Sequence, residues 1–377
     1  MTIKTEKKTM NTSGKQPRRA ASKLNAISLF SGGGGLDIGF SAAGFNIVCS
    51  SDIDPYSCRT LLINAGKRAF YKHANALPAD INQISSASLL EAVSVADRSI
   101  HLLIGGPPCQ AFSVFGRRKG LSDPRGNLVW EYLRIIEEVK PQAFVFENVA
   151  GLKSIHGGSL FQEILEALSF RGLYTVTDHR YQVAEFGIPQ FRDRIFFIGT
   201  KNGVRVPQME PTHGDGKLLP TRKYRTVGEA LKGLPDIDGK AAIPNHHGRE
   251  HSTRIVERYR NLVFGERDPK TRINKLHPER PSFTIIVGSD KGGGKGHVHP
   301  YEPREVTPRE SARMQTFPDW WEFSGTGRHV IRQVGNAVPP LFAAILAEHV
   351  KHHVFQMRKK RSYSDLIEIL GLDYLKN

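Results

Sequence analysis

The chain has 377 residues, 39% hydrophobic and 9% aromatic, enough apolar material to bury a core and too much for global disorder. Its 53 Lys and Arg against 37 Asp and Glu leave a formal charge of +16 and a pI near 9.8, an excess that favours a polyanionic partner, nucleic acid ahead of acidic membrane. No apolar run reaches the ~20 residues of a bilayer span, and the start MTIKTEKKTM lacks a secretory apolar segment. A membrane or secreted protein is therefore not expected, and the compartment implied is the cytoplasm. The three cysteines, Cys49, Cys58 and Cys109, show no CxxC spacing, which fits a reducing compartment and argues against a zinc or redox cysteine motif.

Residues 1–23 carry seven basic residues (Lys4, Lys7, Lys8, Lys15, Arg18, Arg19, Lys23) against Glu6 and read as a disordered basic tail. The tail holds six of the sixteen net charges, so the folded body is itself basic. From Leu24 short apolar runs alternate with amphipathic stretches. Ala26–Phe30, Phe45–Cys49, His101–Ile104, Ala143–Phe146 and Arg194–Gly199 read as strands buried on both faces. Asn127–Val139 and Leu160–Phe170 have helical apolar spacing. The alternation predicts a doubly wound α/β domain with a mostly parallel sheet. Residues 201–300 are rich in Gly, Pro, His, Lys and Arg, with weak periodicity, and read as a separate, loop-rich basic module. Helical signal returns at Thr307–Gln315, with Thr307 as N-cap, Pro308 at N1 and Glu310 at N3. A final helix is expected through Leu341–Val350, after Pro339-Pro340.

Five segments carry chemistry. Leu29-Phe30-Ser31-Gly32-Gly33-Gly34-Gly35-Leu36-Asp37-Ile38-Gly39 follows the first strand, where glycines let a ligand lie against bare backbone. The GxGxxG dinucleotide pattern is not met, because Asp37 stands where its third glycine would be. A plain structural turn is one reading. Asp52, placed at the next strand end to accept from ribose hydroxyls, favours an adenosine-containing cofactor, and Asp80 is a third candidate contact, near the adenine. The second segment, Gly105-Gly106-Pro107-Pro108-Cys109-Gln110-Ala111-Phe112-Ser113, sets a thiol on a rigid turn at the same sheet edge, where a thiolate can be reached. The loop after it, with Arg117 and Arg118, is basic and glycine-hinged, suited to closing over a phosphate backbone or simply mobile.

The third segment, Phe144-Val145-Phe146-Glu147-Asn148-Val149, delivers a carboxylate at a strand end. Bordered by Phe and Val, Glu147 bears a desolvation cost when charged, which favours the protonated form and suits it to donate a proton; a structural ion pair is the competing reading. The fourth, Gln190-Phe191-Arg192-Asp193-Arg194, puts two arginines on one side of a strand start, able to hold a ligand's oxygens. Solvated arginines are the alternative there. The fifth, Arg332-Gln333-Val334-Gly335-Asn336-Ala337-Val338-Pro339-Pro340, reads as a tight loop opening the last helix. Lys291-Gly292-Gly293-Gly294-Lys295-Gly296 is not a P-loop, since Gly and not Ser or Thr follows Lys295. His246, His247, His251, His297 and His299 lack ordered ligand spacing, so no metal is expected.

Taken in order, Gly-Pro-Pro-Cys-Gln, Phe-Glu-Asn-Val, Gln-x-Arg-x-Arg and Gln-Val-Gly-Asn resemble the cytosine-5 DNA methyltransferases, particularly the bacterial restriction–modification type, over roughly Leu24 to Val350. The resemblance implies a Rossmann-like sheet that binds S-adenosyl-L-methionine, with Cys109 as nucleophile, Glu147 as proton donor, and Arg192 and Arg194 beside a flipped-out cytosine. It further implies that Phe30, Gly32, Gly35, Asp52, Ile53, Asp80, Pro108, Asn336 and Val338 line the cofactor pocket, and that Gln110, Ser113, Arg117 and Arg118 close on the DNA. Residues 24–200 and 328–352 would form one discontinuous catalytic domain, 201–327 a smaller target-recognition domain, and 353–377 a C-terminal extension. The expected partner is double-stranded DNA, with a cognate restriction endonuclease acting separately and the enzyme itself a monomer. An RNA cytosine methyltransferase of similar fold is the nearest rival, and the length of 201–327 favours DNA. A NAD-dependent oxidoreductase has no use for the Pro-Pro-Cys turn, and a non-catalytic DNA-binding module requires neither Cys109 nor Glu147.

Overall fold

A computed structural model describes residues 24–72, 75–91, 99–108, 127–216, 221–237, 243–285, 287, 295–357 and 360–376. The strands are β1 (Asn25–Leu29), β2 (Asn46–Asp52), β3 (Ala76–Pro78), β4 (Leu102–Gly105), β5 (Ala143–Val149), β6 (Thr175–Gln182) and β7 (Asp193–Thr200). They form one sheet in the order β3-β2-β1-β4-β5-β7-β6. Alternate residues of each central strand feed different cores, as the pleat requires. Ile27, Leu103, Phe144 and Phe146 pack under the helices Asn127–Val139 and Ser159–Ser169. Ala26, Leu102, Ile104 and Val145 pack on the other face, with Phe40, Phe342, Leu346 and Val350. Burial on both faces is why these strands read as unbroken apolar runs.

The sheet is mostly parallel, as expected, and β7 is the strand that runs against it. β3, β2, β1, β4 and β5 run parallel, but β7 pairs antiparallel with both β5 and β6. Only residues 183–192 separate β6 from β7, in a connection too short for the helical crossover that parallel neighbours need. The strand start at Asp193 therefore lies at the carboxyl edge of β5, with Val149 opposite Arg194.

Helix α1 (Gly35–Ala42) follows the glycine turn, and α2 (Pro55–Asn64) follows β2. The segment expected to be a loop opening the last helix is largely helical: Gly327–Asn336 forms a helix, and only Ala337–Pro339 separates it from the helix Pro340–Val354. Val330, Ile331 and Val334 supply the buried stripe, which outweighs the unfavourable Gly335 and Asn336 at its end. Taken together, Gly327–Val354 is long and apolar enough to cross a bilayer, but 83% of its apolar 18-residue window is buried inside the fold. Thr307 and Glu310 form the expected capping box, with Pro308 opening the helix Pro308–Met314.

A Cβ on Gly35 would overlap the Val338 carbonyl, and one on Gly39 would lie 2.6 Å from the Pro340 carbonyl. The first helix and the helix after Pro339 thus cross at backbone contact, joining segments 300 residues apart. Beyond residue 200 small cores form around Val227, Ala230, Leu276, Val306 and Met314, and around Tyr259, Leu262, Ile273 and Val298. Ala312, Phe317, Trp321 and Phe323 already belong to the main core with Ile38 and Leu61.

Asp37, the residue that breaks the dinucleotide pattern, is fully buried under the glycine turn. It accepts from Ser28 Oγ of β1 at 2.9 Å and Ser50 Oγ of β2 at 2.5 Å, and Ser31 Oγ donates to Ser28 Oγ at 2.9 Å. Burial pushes its carboxyl up from 3.8 to about 6, against the lowering by the two serines. Because the folded state holds this proton more tightly, Asp37 favours folding most at acid pH, and the contribution is lost as pH rises through about 6. Relative to Asp37→Asn, the wild type should lose roughly 2 kcal/mol of stability between pH 4.5 and 7.5. Denaturant titrations of both proteins at the two pH values check this, and a pH-independent difference would contradict it.

Candidate active site

The sheet order reverses between β1 and β4, so the turns after these two strands splay apart and open a crevice at the carboxyl edge. A cavity of about 960 Å³ fills it. Its wall brings together Phe30, Gly32, Gly35, Asp52, Ile53, Asp80, Pro108, Glu147, Arg192, Arg194, Asn336 and Val338, each of them singled out in the sequence. Cys109, Gln110, Ser113, Arg117 and Arg118 lie outside the described residues. Pro108, the residue before Cys109, stands in the cavity wall.

One part of the cavity lining is apolar and acidic. Ile53 is 70% exposed, which for a large aliphatic side chain marks a surface available to a ligand. Phe30 holds a left-handed φ of 54°, a conformation uncommon for an aromatic residue and typical of a turn under constraint. Asp52 is less free than the sequence suggested. Its Oδ2 accepts from Gly32 N and its Oδ1 from Asp54 N, both at 2.8 Å, so it pins the glycine turn, while each oxygen keeps a further lone pair for a hydroxyl. Burial raises its carboxyl, and the two backbone donors oppose that rise. Asp80 closes a turn by accepting from Asn82 N at 3.0 Å and also faces the cavity.

Another part is basic. Glu147 Oε1 is paired with Arg194 Nε at 2.9 Å, both side chains largely buried. The isolated, desolvated carboxyl expected at Glu147 is therefore replaced by the competing ion pair, because the antiparallel β7 lays Arg194 across the end of β5. The arginines are not solvated either: Arg192 is 1% exposed. Its Nη2 donates to the Asn336 carbonyl at 3.2 Å, while its buried Nε and Nη1 find no partner among the described residues. Burial first, and then the neighbouring Arg194 charge, push the Arg192 guanidinium well below its usual range, with Glu147 opposing. One carboxylate faces two guanidiniums, so this part of the cavity is short of negative charge and of hydrogen-bond acceptors.

Other wall residues were given no role by the sequence. Asn148 sits in the quoted Phe-Glu-Asn-Val motif without a role; its Nδ2 donates to the Pro107 carbonyl at 3.3 Å and ties the Pro-Pro turn to β5. Gln333 accepts from Thr60 Oγ1 at 2.6 Å and locks α2 to the returning C-terminal segment. Thr284, Ile285 and Val287 reach the cavity from the weakly patterned basic region, with Thr284 Oγ1 donating to the Phe191 carbonyl at 2.7 Å. Nothing in their local pattern distinguishes them. Among the described residues no three His, Cys, Asp or Glu side chains converge as a metal site would need, and His246 and His297 are engaged with Pro235 and Thr284 carbonyls.

Comparison with known proteins places this geometry. The family described as C-5 cytosine-specific DNA methylase matches residues 24–352. The type II methyltransferase M1.HphI of Haemophilus parahaemolyticus is 35% identical over 343 residues, covering 87% of this chain and 86% of its own. M.XorII of Xanthomonas oryzae is 33% identical, covering 84% and 82%. Among solved structures, a candidate DNA modification methyltransferase encoded within an E. coli prophage superposes with a TM-score of 0.69 at 29% identity, over 89% of this chain and all of that one. The S. pombe Dnmt2 methyltransferase, at 18% identity and a TM-score of 0.58, shares the fold. With its glycine turn, its Glu147–Arg194 pair and the Pro-Pro turn set around one crevice, the chain belongs to the C-5 cytosine-specific DNA methylase family and is a DNA cytosine-5 methyltransferase of the type II restriction–modification kind.

Proposed function

We propose that the protein transfers a methyl group from S-adenosyl-L-methionine to carbon 5 of a cytosine flipped out of a short specific site in duplex DNA, through a covalent bond between Cys109 and carbon 6 of the ring. The observation that carries this reading is the junction of Glu147, Arg192 and Arg194 beside Pro108, in one cavity with the glycine turn. The residues present fit both occupants. Ile53 and Phe30 offer apolar surface to an adenine, Asp52 and Asp80 offer acceptors to ribose hydroxyls and an amino group, and Gly32, Gly35, Asn336 and Val338 offer backbone. The unpartnered Nε and Nη1 of Arg192 suit the carbonyl of a pyrimidine or a phosphate oxygen.

The methyl donor supplies an electrophilic methyl on a sulfonium. Carbon 5 of cytosine is too poor a nucleophile to take it unaided. Cys109, as thiolate, adds to carbon 6 while Glu147, its Oε1 held by Arg194, gives N3 a proton that it carries on Oε2 in the substrate complex, and the ring becomes an enamine nucleophilic at carbon 5. Once carbon 5 is methylated, its proton passes to a base, the carbon–sulfur bond breaks, Cys109 leaves with the electron pair, and N3 returns its proton to Glu147. Arg194 holds the Glu147 carboxyl in place through this cycle. The reacting atoms are inaccessible in a stacked duplex, so the base must be extruded into the cavity. The 201–327 region would read the site in the major groove, and the basic surface supplies nonspecific affinity for the phosphate backbone. The enzyme acts as a monomer in the bacterial cytoplasm, as the modification partner of a separate restriction endonuclease.

Two measurements test this. Duplex DNA with 5-fluorocytosine at the target position, which cannot lose its carbon 5 substituent, should become trapped on the wild type in the presence of the methyl donor; Cys109→Ser should neither trap nor methylate while still binding DNA. An active Cys109→Ser enzyme would overturn the covalent route. Separately, Glu147→Gln should lower kcat by about a hundredfold or more, the usual worth of a positioned proton donor, and a loss under about tenfold would remove Glu147 from that role.

A further inference from the structure

The family match ends at residue 352, yet the chain continues into a well-packed segment. The helix α1 partner Pro340–Val354 is followed by a short helix, Tyr363–Leu370, and a turn, Asp373–Leu375. Leu366, Ile367, Leu370, Leu372 and Leu375 are buried in the main core beside Ile38, Trp321 and Val334. Arg361 Nη1 donates to Glu348 Oε1 at 2.7 Å and to the Ala43 carbonyl at 2.6 Å, anchoring the start of the segment on the catalytic side. The far end is anchored as well: Trp320 Nε1 donates to the Leu370 carbonyl at 2.8 Å, and Tyr374 Oη contacts the Arg313 and Phe317 carbonyls at 3.3 Å.

Tyr363 lies at a junction. Its hydroxyl donates to the Gly187 carbonyl at 3.1 Å and accepts from Arg225. Its ring packs on His213 at 5.1 Å, with the Arg222 guanidinium 5.7 Å from the ring centre. Gly187 opens the segment that ends in Arg192. His213, Arg222 and Arg225 belong to the basic region beyond residue 200. That same arginine segment is held on its other side by the basic region, through Ser282 N to the Pro189 carbonyl at 2.9 Å and Phe191 N to the Ser282 carbonyl at 2.8 Å. The strap and the recognition region therefore meet the arginine segment at its two ends.

We propose that residues 361–376 form a strap that sets the arginine segment against the recognition region, and that Tyr363 is the positioning residue through which it acts on Arg192 and Arg194. The inference rests on the reading of those arginines as walls of the cytosine pocket. A hydroxyl removed at Tyr363 releases the start of the Gly187–Arg192 stretch while the ring keeps its place against the core.

The test compares Tyr363→Phe and Tyr374→Phe in the full-length protein, alongside the wild type. Tyr374→Phe loosens the same strap at its far anchor and is the control for general bracing. Tyr363→Phe should lower kcat for methylation of the cognate duplex about five- to tenfold, roughly what one misplaced hydrogen-bonded contact costs in rate, with KM for S-adenosylmethionine within about twofold of wild type. Tyr374→Phe should lower the thermal midpoint and leave kcat unchanged. An unchanged kcat in Tyr363→Phe, or equal losses in both variants, would overturn the inference. A wild type that fails to methylate cytosine would instead count against the proposed function.

Discussion

The structure depends on a backbone contact between the two ends of the catalytic chain. The glycine turn after β1 and its helix lie so close to Gln333–Ala344 that no side chain fits between them. Close packing of this sort is unforgiving, because interiors tolerate extra atoms poorly. Here it places the backbone of Asn336, Ala337 and Val338 in the same wall as Gly32 and Gly35. Thr60 and Gln333 reinforce the contact with a buried hydrogen bond of 2.6 Å, and Arg332 reaches Asp54 at 2.8 Å. This part of the cavity wall is thus made by segments about 300 residues apart in the chain.

The reactive end depends on strand direction. Had β7 run parallel to β5, its start would lie at the opposite edge of the sheet, far from Glu147. The short β6–β7 connection reverses it and lays Arg194 against Glu147. The result, among the described residues, is a buried cluster with more cation than anion, an arrangement that an entering acceptor would stabilise. A substrate with a ring carbonyl and a phosphate matches that deficit.

Much of this was legible in the sequence, for identifiable reasons. β1, β4 and β5 are buried on both faces, so their runs are unbroken and easy to read. The motif residues sit at strand ends, where a doubly wound fold must put its ligands. What escaped was set by tertiary context. β6, TVTDHRYQ, is a half-buried edge strand whose Asp, His and Arg hide its periodicity, and β3 is only three residues long. The helix Gly327–Asn336 was masked by its glycines. The direction of β7 has no local signature, so an ion pair at Glu147 stood only as an alternative, with no partner named. Thr284 and Ile285 reach the cavity by folding of a region with no period at all.

The contact between the glycine turn and the returning segment is open to one direct measurement. Gly35→Ala adds a single methyl against the Val338 carbonyl, at a helix position where alanine is otherwise preferred by about 1 kcal/mol. Titration calorimetry with S-adenosylmethionine should show binding weakened by about tenfold or more, a loss of at least ~1.4 kcal/mol. Binding equal to that of the wild type would mean that the two chain ends do not jointly build the wall.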